Sequence, residues 1–279
     1  MNSAARAELP PDTRPEVTME DDLQLAVRLA KEAGAILREH WGRRDRLTVT
    51  TKRAGDFVSG ADHAAEAHLR DGLERARPAD AWLGEETGAA PGGTARTARR
   101  WIVDPLDGTT NFLRGIGHWA VSIALEEDGV MVVGVVHDPV RDETFAARQG
   151  HGATLNGARL GVASTGDLSA ALFGTGIPFG GMAHIDDHAA DIARLMPACA
   201  GVRRMGAAAL DLAWVAAGRF DGFWERRLQP WDIAAGLVLL REAGARVEGW
   251  TDAERPEESG TVIAAAPALF PAFAAILRG

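Results

Sequence analysis

Residues 101–112 of this chain read WIVDPLDGTTNF. A short run of aromatic and β-branched residues that ends at Pro and Gly predicts a buried strand closing in a tight turn. Asp104 and Asp107 lie on that turn, where their carboxylates can converge on one point. Converging carboxylates repel each other and are costly to bury, so the pattern favours a divalent cation with oxygen ligands, such as Mg²⁺ or Mn²⁺.

The residues after Asp107 are suited to hold an anion. Gly108 allows the backbone to approach a ligand closely, because glycine carries no side chain. The amides and hydroxyls of Gly108, Thr109 and Thr110 can then bind anionic oxygens, particularly if a helix begins there. Taken alone, a DPLD sequence is more often a solvated Asp-Pro turn with a helix cap, so the rest of the chain must decide between the two interpretations.

Acidic residues in three other segments favour the metal interpretation. Glu85 and Glu86 end a short apolar run, and Asp62 lies where a loop runs into a predicted helix. Asp232 lies in the first turn of an apolar helix. Each of these alone is a common structural feature, such as a helix cap, and it is their combination and order along the chain that point to a shared site.

In this order the segments resemble the inositol monophosphatase family, the magnesium-dependent and lithium-sensitive sugar phosphatases, from about residue 21 to about residue 265. The resemblance implies a shared set of oxygen ligands for two or three Mg²⁺ ions, with Mn²⁺ as a substitute. In the family, the residue at Asp104 bridges two metals. Glu85 and the Leu106 carbonyl would complete the first site, and Asp107 and Asp232 would complete the second.

The resemblance also implies the catalytic residues. Thr109 and Asp62 would form a hydrogen-bonded pair that orients the attacking water, and Glu85 would help to remove a proton from that water. Glu86 is either an acceptor beside the ligands or a solvated strand end. Lys52 and Asp56 lie on a loop that either closes over the metals or carries ordinary surface charges; the sequence leaves these roles open.

By the same resemblance, the C-terminal half recognises the substrate. The implied substrate-binding residues are Asp107, Gly108, Thr109, Gly206, Ala207, Ala208 and Glu225. Small residues at 206–208 would let the backbone face a sugar ring, and Glu225 stands seven residues before Asp232, where the family places an acid that binds ring hydroxyls. Many members carry Ser or Thr where this chain has Ala207, which weakens the prediction of strict inositol specificity.

The composition bounds the class of protein. With 279 residues and 46% hydrophobic content, the chain can form one large core or two packed halves. A net charge of −9 argues against a nucleic-acid-binding surface. The single cysteine, Cys199, excludes a disulfide framework. Without an apolar run of transmembrane length, the sequence predicts no membrane contact and a cytoplasmic location.

The chain is predicted to form one domain behind an extension. Residues 1–18 lack apolar periodicity and predict a disordered N-terminal extension, followed by a phosphatase-like domain over 19–279. Helices and strands in mixed order imply layered α/β (α+β) packing. The resemblance specifies an αβαβα sandwich of the sugar phosphatase type, with an α+β half at about 19–150 and an α/β half at about 151–279.

Local signals add detail to this fold. Asp128-Gly129 and Asn156-Gly157 predict tight hairpins, and the Gly-, Thr- and Ala-rich residues 89–98 predict a loop. Because family members are commonly homodimers, a homodimer is expected here as well.

Three functional hypotheses follow. The first is a Mg²⁺-dependent phosphomonoesterase acting on a small polyol or sugar phosphate, above all inositol monophosphate. The second keeps the chemistry and changes the substrate to fructose 1,6-bisphosphate, histidinol phosphate or 3′-phosphoadenosine 5′-phosphate, all of which relatives hydrolyse. The third is a binding partner of the transcription machinery, a role that some bacterial relatives have.

Overall fold

The computed structural model describes residues 21–43, 49–53, 56–92, 98–177, 185–251 and 253–279, the side chains of 49–53 and 56–58 excepted. The predicted extension and the side chains of Lys52 and Asp56 lie outside this description. The helices are α1 (Asp22–Trp41), α2 (Gly60–Ala76), α3 (Thr109–Arg114), α4 (Ile185–Leu195), α5 (Ala208–Ala216), α6 (Pro230–Glu242), α7 (Pro256–Ser259) and α8 (Phe270–Arg278). The strands are β1 (Val49–Arg53), β2 (Asp56–Ser59), β3 (Ala81–Gly84), β4 (Gly88–Ala90), β5 (Arg99–Asp107), β6 (Ala120–Glu127), β7 (Val130–Asp138), β8 (Glu143–Arg148), β9 (Ala153–Leu155), β10 (Ala158–Arg159), β11 (Leu172–Thr175), β12 (Gly201–Arg203), β13 (Gly222–Glu225), β14 (Arg246–Glu248) and β15 (Val262–Ala265).

A large, mostly antiparallel sheet forms the first half of the fold. Its strand order is β10-β9-β8-β7-β6-β5-β3-β4, and only β3 and β5 run parallel within it. The predicted hairpins are confirmed: Asp128 and Gly129 join β6 to β7 with φ of 50° and 81°. Asn156 and Gly157 join β9 to β10 with φ of 50° and 83°. Positive φ at both turn positions matches the right-handed twist of the strands.

A second sheet of five strands has the order β12-β11-β13-β15-β14. In it, β11 runs parallel to β12 and β13, and β15 runs antiparallel to β13 and β14. The large sheet continues through β9 and β10, past the predicted half-boundary near residue 150. The division of the domain into halves stays a prediction.

Three hydrophobic cores fill the spaces between the layers of helices and sheets. The first lies between helices α1 and α2 and the large sheet, with Leu29, Leu69 and Trp101 fully buried. The second joins α5 and α6 to both sheets. The third packs α8 and Leu195 of α4 on the outer face of the small sheet. The order helices, sheet, helices, sheet, helices confirms the predicted layered sandwich.

The structure also bears on the predicted loop over 89–98 and on the predicted absence of a membrane-spanning segment. Part of the predicted loop over 89–98 is strand, because Gly88–Ala90 pairs with β3 as an edge strand, and residues 93–97 lie outside the described part. Among the described residues, every helix is too short or too polar to cross a bilayer.

Candidate metal and phosphate site

The ends of β3 and β5 carry the first acidic residues of the site. Asp104 pairs with Ser122 of β6, and Asp107 pairs with Ala120, so three residue steps on β5 match two on β6. Residues three apart on a regular strand point to opposite faces, and this bulge turns the two carboxylates towards the same side. An Asx turn, in which the Leu106 amide donates to Asp104 Oδ1 over 2.9 Å, fixes the bulge.

Glu85 lies beside Asp104 because β3 and β5 are parallel neighbours. Gly84 is in register with Val103, and the Glu85 amide donates to the Val103 carbonyl over 3.2 Å. The strands therefore end together, and the two carboxyl groups share a hydrogen bond. Glu86 also has a defined contact, since its amide donates to Glu66 Oε2 over 2.9 Å.

Asp232 completes the acidic group from the other half of the protein. It lies in the first turn of α6, and its Oδ2 accepts the Gln229 amide over 2.7 Å, which caps the helix. Its charge also acts on Asp104, so the carboxylate lies within electrostatic range of the end of β5. The capping role and the predicted metal role are compatible.

The electrostatics of this group favour a bound cation. Burial, and then the charges of Glu85, Asp107 and Asp232, raise the pKa of Asp104 well above its usual range. Burial and the charge of Asp211 raise the pKa of Asp107 to about 7, although the Ala209 and Leu210 amides act in the opposite direction. Asp104 and Asp107 are buried and Glu85 and Asp232 are half-buried, so these neighbouring acids cannot all ionise without compensating positive charge.

The donor set fits an oxygen-preferring divalent cation. The candidate ligands are carboxylates from separate elements and the Leu106 carbonyl. Mg²⁺ and Mn²⁺ prefer oxygen ligands of both types. Within the described ranges, no three His, Cys, Asp or Glu side chains already stand in the arrangement of a metal-binding cluster. The ligand set therefore stays a prediction, supported by the repulsion that a cation would relieve.

Thr109 and Asp62 meet at the start of α3. The Thr109 hydroxyl contacts Asp62 Oδ1 at 3.2 Å and the Leu106 carbonyl at 3.1 Å, so its single proton is shared between two acceptors. Asp62 is fully buried, and its Oδ2 accepts from the amide and hydroxyl of Ser59 to cap α2. Burial raises the pKa of Asp62, while the bonds from Ser59 and Thr109 lower it. One carboxylate thus serves the helix cap and the Thr109 contact together.

The turn between the strand and α3 needs its glycine. Gly108 has φ of 92°, which favours glycine. A Cβ there would lie 3.0 Å from the His118 carbonyl and 3.1 Å from the Ala207 Cβ. Ala207 therefore packs directly against the turn that carries Asp107 and Thr109.

Glu225 ends β13 on the same side of the protein. Burial, and then the charges of Asp232 and Asp211, raise the pKa of Glu225 well above its usual range, whereas Arg204 lowers it. Gly176 makes room for the carboxylate, because a Cβ at this position would lie 2.0 Å from the Glu225 carboxyl atoms. The Glu225 carboxyl group therefore lies within electrostatic range of Asp232, Asp211 and Arg204.

The sequence predicts no functional role for two buried residues beside this site. His118 and Asp211 are each 1% exposed, and His118 Nε2 lies 2.8 Å from Asp211 Oδ1. Burial lowers the pKa of His118 to about 4 and raises the pKa of Asp211 well above its usual range. The one available signal was a single Asp in the otherwise apolar helix α5.

Known proteins that resemble this chain identify its family. The model of the inositol monophosphatase family matches residues 18–279. An inositol-1-monophosphatase of Rhizobium meliloti is 48% identical over 86% of this chain and 90% of that protein. Nus factor SuhB of Pseudomonas aeruginosa is 44% identical over 88% of this chain and 92% of that protein.

Solved structures agree with the family match. The crystal structure of extragenic suppressor protein SuhB from Bartonella henselae is 40% identical, covers 91% of this chain and 97% of its own, and superposes with a TM-score of 0.87. The match of family model, curated relatives and structure extends over nearly the whole chain, and it confirms the resemblance first seen in the carboxylate motifs. The chain belongs to the inositol monophosphatase family and is a phosphoric monoester hydrolase.

Proposed function

We propose that this protein is a Mg²⁺-dependent phosphomonoesterase that hydrolyses a small polyol or sugar phosphate, with inositol monophosphate as the preferred substrate. The observation that supports the proposal is that the charges of Glu85, Asp107 and Asp232, which come from three separate parts of the chain, act on the buried carboxyl group of Asp104. These four acids would hold the metal together with the Leu106 carbonyl. The bound ions would neutralise the phosphoryl oxygens and lower the pKa of a coordinated water.

The protein's own residues would position the reactants. The Thr109 proton is engaged by Asp62 and the Leu106 carbonyl, so the hydroxyl oxygen is oriented to accept a hydrogen bond from the attacking water. Glu85 would take up the proton that this water loses. General acid–base help of this kind contributes about 10²- to 10⁴-fold to a rate. Asp107 and the amides of Gly108 and Thr109 would face the phosphate group.

Substrate recognition would come from the C-terminal half. Glu225 would accept hydrogen bonds from ring hydroxyls, and the backbone at Gly206, Ala207 and Ala208 would face the ring. The named inositol-1-monophosphatase relative supports inositol monophosphate as substrate. The same chemistry on fructose 1,6-bisphosphate, histidinol phosphate or 3′-phosphoadenosine 5′-phosphate is the alternative, because a few pocket contacts decide such selectivity. Phosphate release across these four substrates would rank them.

The activity test compares the wild type with Asp104→Asn. The wild type should release phosphate from inositol monophosphate only when Mg²⁺ is present, and the variant should lose this activity because it removes a ligand proposed to bridge two ions. Phosphate release that is equally fast without Mg²⁺, or equally fast in Asp104→Asn, would refute the proposal.

A second candidate function is binding to the transcription machinery. It is favoured by the 44% identity to a protein named Nus factor SuhB. The net charge of −9 favours a protein partner over direct contact with RNA. In a strain that lacks this protein, full complementation by Asp104→Asn would support this role, and failure would assign the phenotype to catalysis. Homodimer formation, lithium inhibition and a cytoplasmic location stay predictions.

A further inference from the structure

Several hydrogen bonds, among them one of 3.4 Å from Asn111 Nδ2 to the Gly206 carbonyl, join two distant segments of the chain at the edge of the site. We name these segments the turn segment, residues 107–118, and the recognition segment, residues 205–211. Three of the bonds run from the Ala209 amide to Asp107 Oδ2, from Asn111 Nδ2 to the Met205 carbonyl, and between His118 Nε2 and Asp211 Oδ1, each over 2.8 Å. Because all three cross the same boundary, the position of the recognition segment depends on the turn segment.

The first bond replaces a missing helix cap. Helix α5 has Ala207 at its N-cap, and the methyl side chain cannot accept a hydrogen bond from the first turn. The carboxylate of Asp107, 102 residues earlier in the chain, accepts the Ala209 amide instead. The start of α5 is therefore attached to a residue that the proposed function assigns to the metal and the phosphate.

Asn111 reinforces this attachment through the backbone. Its Nδ2 group donates to the His118 carbonyl and to the Met205 carbonyl, both over 2.8 Å. Asn111 is 6% exposed, so water competes little for these bonds. Both amide protons are thereby used, one within the turn segment and one across to the recognition segment.

His118 is held by two side chains of α5. Besides its bond to Asp211, its ring lies edge-on to Trp214, with the ring centroids 4.8 Å apart and an interplanar angle of 81°. Asp211 and Trp214 are three residues apart and lie on the same face of the helix. The preceding Gly117 carbonyl accepts from Arg141 Nη1 over 2.8 Å, which fixes the backbone beside His118. The position of the imidazole against α5 is thus fixed by a hydrogen bond and a ring contact.

We propose that His118 and Asp211 are positioning residues that set the distance between the polyol-binding start of α5 and the phosphate-binding turn at Asp107. The inference rests on the proposed function, and it concerns how substrate specificity is maintained rather than the chemical step. If the pair is lost, α5 stays folded through its apolar core but its first turn shifts relative to Gly108. Recognition of the polyol ring then weakens, whereas attack on a phosphate group without a polyol continues.

The test compares two substrates, inositol 1-phosphate and p-nitrophenyl phosphate. Asp211→Leu should raise KM for inositol 1-phosphate about tenfold and change kcat/KM for p-nitrophenyl phosphate by less than about threefold, since the aryl ester makes no polyol contacts. Asp211→Asn keeps an acceptor oxygen for His118 and should stay within about threefold of the wild type on both substrates. His118→Ala should reproduce Asp211→Leu, and the double variant should lose no more than either single variant.

A matched control is Asp221→Leu. Asp221 is 8% exposed, and its Oδ2 accepts the Leu172 amide over 2.7 Å, at the end of β13 opposite to Glu225. Its loss should affect both substrates equally. The positioning role is overturned if Asp211→Leu loses both substrates to the same extent, or neither. A wild type without Mg²⁺-dependent hydrolysis of either substrate would contradict the proposed function instead.

Hydrogen exchange gives a readout that needs no activity. The Ala209 amide is protected by Asp107, so Asp211→Leu should speed exchange in the peptide over 205–216 by about tenfold, while Asp211→Asn should not. Unchanged exchange in Asp211→Leu would overturn the positioning role even in a preparation without measurable hydrolysis.

Discussion

At the scale of single residues, the space around Glu225 depends on one glycine. The backbone at Gly176 lies outside the left-handed region, so alanine is tolerated by the chain itself, yet its Cβ would lie 2.0 Å from the Glu225 carboxyl atoms. Gly176→Ala should therefore displace the Glu225 carboxylate from the pocket. Since a hydrogen bond to a charged group contributes about 1.5–3 kcal/mol, KM for inositol monophosphate should rise about 10- to 100-fold.

The control for this substitution is Gly166→Ala. Gly166 also has no positive φ, and a Cβ there would meet nothing within 4 Å. It should leave KM and kcat unchanged in steady-state assays. If Gly176→Ala also leaves KM unchanged, Glu225 does not bind the substrate ring.

Some contacts at the scale of residues could not be predicted from the sequence. The acidic residues of the site were identifiable because each ends a strand or begins a helix with a recognisable local pattern, and the family motif supplied their combination. The bulge that turns Asp104 and Asp107 to the same side depends on pairing with β6. The bond between His118 and Asp211 spans 93 residues, and no local pattern connects its partners. Such contacts follow from tertiary packing alone.

At the scale of elements, Asp22 connects three of them. It lies in the first turn of α1 and accepts from Arg77, at the end of α2, over 2.7 Å and from Arg99, at the start of β5, over 2.9 Å. Burial acts to raise the pKa of Asp22, but the hydrogen bonds from Arg99 and Arg77 outweigh it and lower the pKa below its usual value. A carboxylate with a lowered pKa stabilises the fold above its unfolded-state pKa of about 3.9 and loses that contribution as the pH falls through its folded-state pKa.

Asp22→Asn should therefore lower the free energy of unfolding by about 1–2 kcal/mol at neutral pH and by less as the pH falls below about 4. Urea unfolding at several pH values measures this difference. Glu39→Gln is the matched control, because Glu39 and Arg43 form a 3.3 Å pair with side chains 68% and 67% exposed, and such pairs contribute little. A constant difference between wild type and Asp22→Asn across the pH range would contradict the assignment.

The hairpins and the helix that begins near Asp62 were predicted correctly from local sequence. Asp128-Gly129 and Asn156-Gly157 carry their turn geometry in two adjacent residues. The helix predicted around Asp62 is helix α2, and its N-cap is Ser59, whose hydroxyl accepts the Ala61 amide over 3.2 Å. The edge strand β4 was missed because Gly88–Ala90 has no strand propensity of its own and becomes a strand only by pairing with β3.

At the scale of the whole molecule, both halves of the chain contribute acids to one site. Glu85, Asp104 and Asp107 come from the large sheet, and Asp232 comes from the helix layer between the sheets. Their mutual repulsion opposes folding, and a bound cation would turn the same residues into a connection between layers. Metal binding and fold stability are therefore expected to be linked.

The most direct measurement is thermal unfolding of the wild type and Asp104→Asn, each in EDTA and in saturating Mg²⁺. In EDTA, Asp104→Asn should unfold at a higher temperature than the wild type, because it removes one of the repelling charges. Mg²⁺ at about 100 times its Kd should stabilise the wild type by about 2.7 kcal/mol and have little effect on the variant. A wild-type Tm that Mg²⁺ leaves unchanged, together with an Asp104→Asn Tm in EDTA at or below that of the wild type, would contradict the proposal that these acids form a metal site.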